Sequence, residues 1–215
     1  MPDGRPLTFV APRAWLRALD YERAIAERGE IATRNGNLHD AFNALAWLRF
    51  PRTKAALNAL HVTAGDATTG NARNRARDAA TLLDESGLLL TCGNADLVAL
   101  LQARAWRELF CTRCDDTVHA MRPMVLGHGL AEKLMSPYRA LTAHALIIDA
   151  APMLACEALD EVALDAKAAA TIAVPSFDPS MLVPLPVAAL PGWDTENMGE
   201  RLFDDLSVFR PPVLR

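Results

Sequence analysis

His39 and Asp40 stand side by side, and on a helix His39, Asn43 and Trp47 fall at i, i+4 and i+8 along one face. Asp40 points about a quarter turn away. An adjacent His-Asp pair offers a nitrogen and an oxygen ligand to one divalent metal ion, as hydrolytic sites use. Metal phosphohydrolases built on such a doublet add an upstream His, and here His39 is the first His of the chain. The doublet reads equally as an acidic first helical turn beside a locally bonded imidazole.

Four further groups carry polar chemistry. Lys54, Asn58 and His61 fall at i, i+4 and i+7, a row able to hold an anion, and equally an ordinary solvated helix face. Asp84 and Glu85 place two carboxylates together, as ligands for a cation or as an acid–base pair; the following Gly87 suits a plain turn. His128 and Glu132 share a face at i, i+4, where a carboxylate can fix an imidazole tautomer. His144 lies among Ala, Leu and Ile, so burial obliges it to find a partner, for which His128 or Glu132 is the expected choice.

Other features weigh less. Cys111-Thr-Arg-Cys114 is a CxxC without a second pair to complete a zinc site, and it is expected to close a helix rather than open one. We read it as incidental. Arg73, Arg75 and Arg77 alternate in a segment expected to be a loop and able to touch phosphate. No nucleotide-binding glycine loop and no nucleophile elbow is present.

The elements that must position these residues follow from local signals. Pro12 suits the first turn of a helix carrying Trp15, Leu16, Leu19 and Ala26, which Gly29 ends. Asn37 caps a second helix with Leu38, Phe42, Leu45 and Leu48 apolar, and Pro51 opens a third whose buried face is Ala56, Leu57 and Leu60. Residues 64–77, small, polar and basic and including Gly65 and Gly70, are expected to be a loop. Two apolar runs flanking Asp84-Glu-Ser-Gly87 suggest a β-hairpin. Asn94 caps a long helix through Phe110, residues 121–126 are extended, and Gly127-His128-Gly129 opens a short helix ending near Pro137. Residues 141–148 form a buried strand or a buried helix, and residues 157–170 a helix. The remainder is Pro-rich and extended, with a short helix near Glu200 and Arg201. The expected class is α+β, a helix-dominated single domain over residues 1–215, with a short β-hairpin or small sheet. Residues 172–215 form an extended Pro-rich C-terminal segment packing on it.

The totals exclude several functions. Twenty-two basic against 26 acidic residues give a net charge of −4, which argues against bulk nucleic-acid affinity. The most apolar stretch, residues 140–159, contains His144, Asp149, Pro152 and Glu157, so no membrane span is expected. The opening residues lack a signal-peptide pattern, and four cysteines in 215 residues suit a reducing, cytoplasmic setting.

The order of motifs also resembles a bacterial family, domain of unknown function 3025. The resemblance runs through Thr33-Arg34, His39-Asp40-x-Phe42-Asn43-Ala-Leu45, Phe50-Pro51-x-x-Lys54-x-x-Leu57-Asn58, Arg77-Asp78, Thr81 and Asp84-Glu85-x-Gly87. It continues through Gly127-His128, Glu132-Lys133, Thr142-Ala-His144-Ala145, Pro184-Leu-Pro186, Pro191-Gly-Trp193, Asn197 and Val208-Phe-Arg210. The family pattern has an aromatic before His-Asp and Phe before Asp-Glu. Leu38 and Leu83 stand there instead, implying altered packing. The CxxC lies outside the pattern. The resemblance implies no activity, but it marks His39, Asp40, Asn43, Lys54, Asn58, Arg77, Asp84, Glu85, His128, Glu132 and His144 as shared polar positions.

Three readings follow. The first is a metal-assisted hydrolase of a phosphate ester or other polar small molecule, with one divalent metal (Zn, Mn or Mg). Its ligands would come from His39, Asp40, His128, Glu132 and His144. Asp84 and Glu85 would be catalytic, and Asn43, Lys54, Asn58 and Arg77 would bind substrate. The second is a non-catalytic interaction protein whose His and carboxylates form a structural network, its binding surface the C-terminal segment with Trp193, Phe203 and Phe209. The third is local nucleic-acid binding through the arginines at 71–77.

Overall fold

The computed structural model describes residues 4–13, 17–65, 71–149, 160–191 and 199–211. In chain order the elements are β1 (Thr8–Val10), α1 (Ala18–Arg28), β2 (Glu30–Ala32), α2 (Leu38–Arg49), α3 (Pro51–Gly65), α4 (Asn71–Ser86) and β3 (Gly87–Cys92). There follow α5 (Ala95–Gln102), α6 (Cys114–Ala120), β4 (Met121–Val125), α7 (His128–Lys133), β5 (Thr142–Asp149), α8 (Glu161–Ile172) and β6 (Leu182–Pro186). This is the helix-dominated α+β class expected, with two small sheets.

The main sheet has the order β4-β3-β5-β6, with β3 and β5 parallel and the outer pairs antiparallel. Pro123 and Pro184 lie on its two edge strands, where a missing N–H breaks no internal ladder. All six residues of β3 are buried, because both faces of the sheet are covered. Successive side chains alternate sides. Leu88 and Leu90 join Leu97, Leu101, Trp106 and Leu109 on one face. Leu89 joins Leu57, Ala80, Leu83, Leu164 and Ile172 on the other, beneath α3, α4 and α8. Each such leucine contributes roughly 1.5–3 kcal/mol by burial.

Helix α3 is anchored at its start by α8. The buried Asp165 carboxylate accepts from the backbone N–H groups of Arg52 and Thr53 at 2.9 and 2.8 Å, satisfying two donors that the first helical turn leaves orphaned. That cap fixes where the next residue, Lys54, enters the fold.

Several local expectations hold. Asn37 caps α2 by accepting from the Asp40 N–H, Pro51 begins α3, Gly29 ends α1 at φ 70°, and residues 142–149 are a strand. Others are corrected. Helix α1 starts at Ala18, so Pro12 does not open it; Trp15 and Leu16 lie outside the described residues, as do Gly70, Pro152, Glu157, Trp193 and Asn197. The arginine segment is helix α4, whose polar face faces solvent while Ala79, Ala80 and Leu83 pack on the sheet. Hence residues 80–86 are its last turns and not half of a hairpin; β3 pairs with β4 and β5 instead. On α2 the residues buried most deeply are Ala46 and Trp47, whereas Leu38, Leu45 and Leu48 are exposed.

The long helix expected from Asn94 ends at Gln102. Ala105 N–H bonds Leu100 O and Arg104 N–H bonds Leu101 O, a Schellman closure with Arg104 in the left-handed position at φ 53°. No glycine announces that stop. Cys111 lies in a π-turn over Glu108–Thr112 and Cys114 opens α6, so the pair does not close a helix. In the C-terminal segment, β6 joins the sheet as an edge strand. No helix of the described residues is long and apolar enough to cross a membrane.

Candidate metal and acid–base site

A cavity of about 420 Å³ opens where α1, α2, α3, α4 and α7 meet. At one end His39 from α2, Glu85 from the last turn of α4 and His128 from α7 converge, each offering one ligand atom, all within 4.8 Å of one another. Two imidazoles and a carboxylate make up a three-ligand catalytic set for zinc, with a position left for water. The rings of His39 and His128 meet edge to face at 4.4 Å.

Each imidazole has a carboxylate behind it. His39 Nδ1 lies 2.8 Å from Glu132 Oε2. An ionised carboxylate only accepts, so the proton it faces sits on Nδ1, which leaves Nε2 as the nitrogen available to a metal ion. His128 Nε2 lies 3.5 Å from Glu85 Oε1, while its Nδ1 is 4.0 Å from Asp84 Oδ1. That buried Nδ1 has no hydrogen-bond partner among the described residues. The contact with His128, opposed by partial burial, holds the Glu85 carboxyl below its ordinary pKa.

Close backbone contact makes this convergence. A Cβ on Gly129 would lie 2.7 Å from Glu85 Oε2, and one on Gly127 would lie 2.3 Å from Gly87 N and 2.7 Å from Glu85 O. Only hydrogen at those two positions lets the start of α7 rest on the end of α4.

Deeper in the cavity Lys54 and Asn58, both buried, contradict a solvated face. Helix α3 is covered on several sides, so its polar row looks into the cavity. Lys54 Nζ donates to Asn43 Oδ1 at 2.9 Å and to Asp84 Oδ1, and sits 5.4 Å from the centre of the Trp47 ring. Burial pushes the Asp84 carboxyl up in pKa, but Lys54, His128 and His61 outweigh it and leave it below the ordinary value. Asn43 Nδ2 donates to the Tyr21 hydroxyl at 3.0 Å. Asn58 Nδ2 donates to Glu22 Oε2 at 2.6 Å and to Glu22 O at 2.9 Å. Burial pushes Glu22 up to about 7; the Asn58 hydrogen bond opposes that shift and the nearby Asp84 adds to it.

The expected face of His39, Asn43 and Trp47 does line this cavity. Three residues expected as ligands, Asp40, His144 and Glu132, lie outside the three converging atoms. Asp40 accepts from Arg34 Nη2 and Nε at 2.7 and 2.9 Å and from its backbone N–H at 2.7 Å, because its quarter-turn offset aims it at the chain before α2. His144 Nδ1 meets Ser86 Oγ at 2.7 Å, not His128 or Glu132, because Gly87 pairs with His144 in the β3–β5 register and brings Ser86 alongside. Arg77 is exposed on α4 and outside the cavity lining; Arg13, Arg17 and Arg34 line it instead. Glu132 orients His39 rather than joining the three converging atoms. Sequence reasoning missed Tyr21 and Glu22, which sit on an undistinguished helix, and Arg34, which the shared pattern had included.

The family model described as protein of unknown function (DUF3025) matches residues 7–213, and the chain belongs to that family. Neither the curated proteins nor the solved structures hold a match to it.

Proposed function

We propose that this member of the family holds one divalent metal ion between His39, Glu85 and His128 and hydrolyses a phosphate ester or similarly polar small molecule. The observation that carries the reading is the convergence of three ligand atoms within 4.8 Å at the end of a cavity. Imidazole and carboxylate together suit Zn or Mn better than Mg. Such an ion lowers the pKa of a bound water and so supplies a nucleophile near neutrality. Glu132 sets the His39 tautomer, and Asp84, held by Lys54, stands behind His128. Arg13, Arg17 and Arg34 line the cavity wall, Arg34 paired with Asp40 and Arg13 with Glu30, and offer guanidinium donors to an anionic substrate. The purely structural reading would have every imidazole nitrogen paired inside, and His128 Nδ1 has no partner among the described residues. We place the protein in the cytoplasm, since four cysteines in 215 residues suit a reducing setting.

The test is metal content by mass spectrometry on untagged protein purified without chelators, followed by aryl phosphate hydrolysis. Near one equivalent of Zn or Mn is expected, lost in His39→Ala and in His128→Ala together with turnover. No metal, with a melting temperature indifferent to added Zn²⁺ or Mn²⁺, would overturn the reading.

A further inference from the structure

Glu22 lies in the same cavity as the three converging ligands but is outside the metal set. Its Oε2 is held by Asn58, itself buried on α3, and its Oε1 accepts no hydrogen bond among the described residues. Ile25, Trp47 and Leu57 supply apolar wall nearby. The charged and titratable groups that face it are Lys54 and His61 from α3 and Asp84 from α4, with Tyr21 on its own helix and Arg13 and Arg17 on the chain before it. Lys54 is already bonded to Asp84 and Asn43, so it forms no ion pair with Glu22. Burial keeps His61 below its ordinary pKa, hence neutral at pH 7.

Resting on the hydrolase reading, we propose that Glu22 is the general acid that protonates the leaving group, with Asn58 as the residue that positions it. The cavity lining then carries two separate tasks: water activation at His39, Glu85 and His128, and proton delivery at Glu22. In each turnover water forms the new bond to phosphorus and loses one proton to solvent. The phosphorus–oxygen bond to the leaving group breaks, its electron pair goes to the leaving oxygen, and that oxygen takes the Glu22 proton. Glu22 regains a proton from solvent before the next turnover. A carboxyl that titrates near 7 is suited to this work at neutral pH.

The test compares metal-loaded wild type, Glu22→Gln and Glu22→Asp on phenyl phosphate and on p-nitrophenyl phosphate, whose leaving group departs with little help from an acid. In Glu22→Gln, turnover of phenyl phosphate is expected to fall by roughly 10²-fold or more, and that of p-nitrophenyl phosphate only severalfold. The decline of wild-type kcat above neutral pH should disappear in Glu22→Gln and persist in Glu22→Asp, with metal content unchanged. Equal losses on both esters, or an unchanged high-pH decline in Glu22→Gln, would overturn the proposal and leave the hydrolase reading standing. Wild type that is metal-loaded and turns over neither ester would sink that reading, and this one with it.

Discussion

His39 Nδ1 and Glu132 Oε2 are 2.8 Å apart although 93 positions separate them in the chain. The contact joins α2 to α7 and holds the His39 ring edge to face against His128. Replacing Glu132 by Gln keeps the shape of the side chain and removes its charge. Metal affinity is expected to fall by about 10–100-fold with the fold retained. Calorimetric titration with Zn²⁺ or Mn²⁺ reads this directly, and an unchanged affinity would remove Glu132 from the site.

The two glycines that open α7 separate stability from binding. Gly129→Ala drives a methyl group against the Glu85 carboxylate, so metal affinity should drop at least tenfold at a modest cost in stability. Gly127→Ala meets backbone atoms of residues 85–87, which cannot swing aside, and should cost about 1–3 kcal/mol or more. Denaturant melts together with metal titrations distinguish the two variants. Equal behaviour would show that the contact with α4 is looser than described.

Lys54 is buried and gives the Asp84 carboxylate a direct ion pair, with His128 and His61 acting on it at longer range. Lys54→Met leaves Asp84 unpaired, and a loss of roughly 3–5 kcal/mol is expected. The double variant Lys54→Met with Asp84→Leu removes both charges and should recover much of that loss. Urea unfolding of the single and double variants forms the cycle. A double variant as unstable as Lys54→Met alone would show that shape rather than charge dominates.

Glu22 makes stability depend on pH. Its folded-state pKa of about 7 lies above the ordinary 4.5, so between those values the folded chain holds a proton that the unfolded chain has lost. Its contribution is therefore fully present below about pH 4.5 and is lost as pH rises through 7. The full difference is on the order of 3 kcal/mol. Glu22→Gln should gain stability relative to wild type from pH 5 to pH 8, measured by chemical denaturation at each pH. A difference that stays flat across this range would show that Glu22 is not shifted.

Asp40 gives a contrasting expectation. Its partner Arg34 is well exposed, and such pairs contribute about 1 kcal/mol or less. Asp40→Asn should leave metal content and hydrolysis of aryl phosphate by the loaded protein within about twofold of wild type. Loss of the metal in this variant would return Asp40 to the ligand set.

What the sequence determined by itself is local. Asn37, Pro51 and Gly29 fix the ends of α1, α2 and α3 because caps and breakers act on backbone groups within about one helical turn. The spacing of His39, Asn43 and Trp47 put them on one face for the same reason. The same local signals, read along the chain, placed it in the α+β class, and the order of motifs matched the family. Tertiary structure decided the rest. Residues 71–86 read as a loop and half a hairpin, since the helical face that packs is short, with Ala79, Ala80 and Leu83 buried and Leu82 partly so, and it matters once the sheet lies beneath it. Whether Lys54 and Asn58 meet water or a cavity depends on which helices cover α3, and no property of α3 alone states that. Asp84 and Glu85 are neighbours in the chain, yet successive helical side chains diverge by about 100°. Asp84 therefore meets Lys54 and the Nδ1 side of His128 while Glu85 meets its Nε2 side, an arrangement that exists only after α3 and α7 have packed on α4.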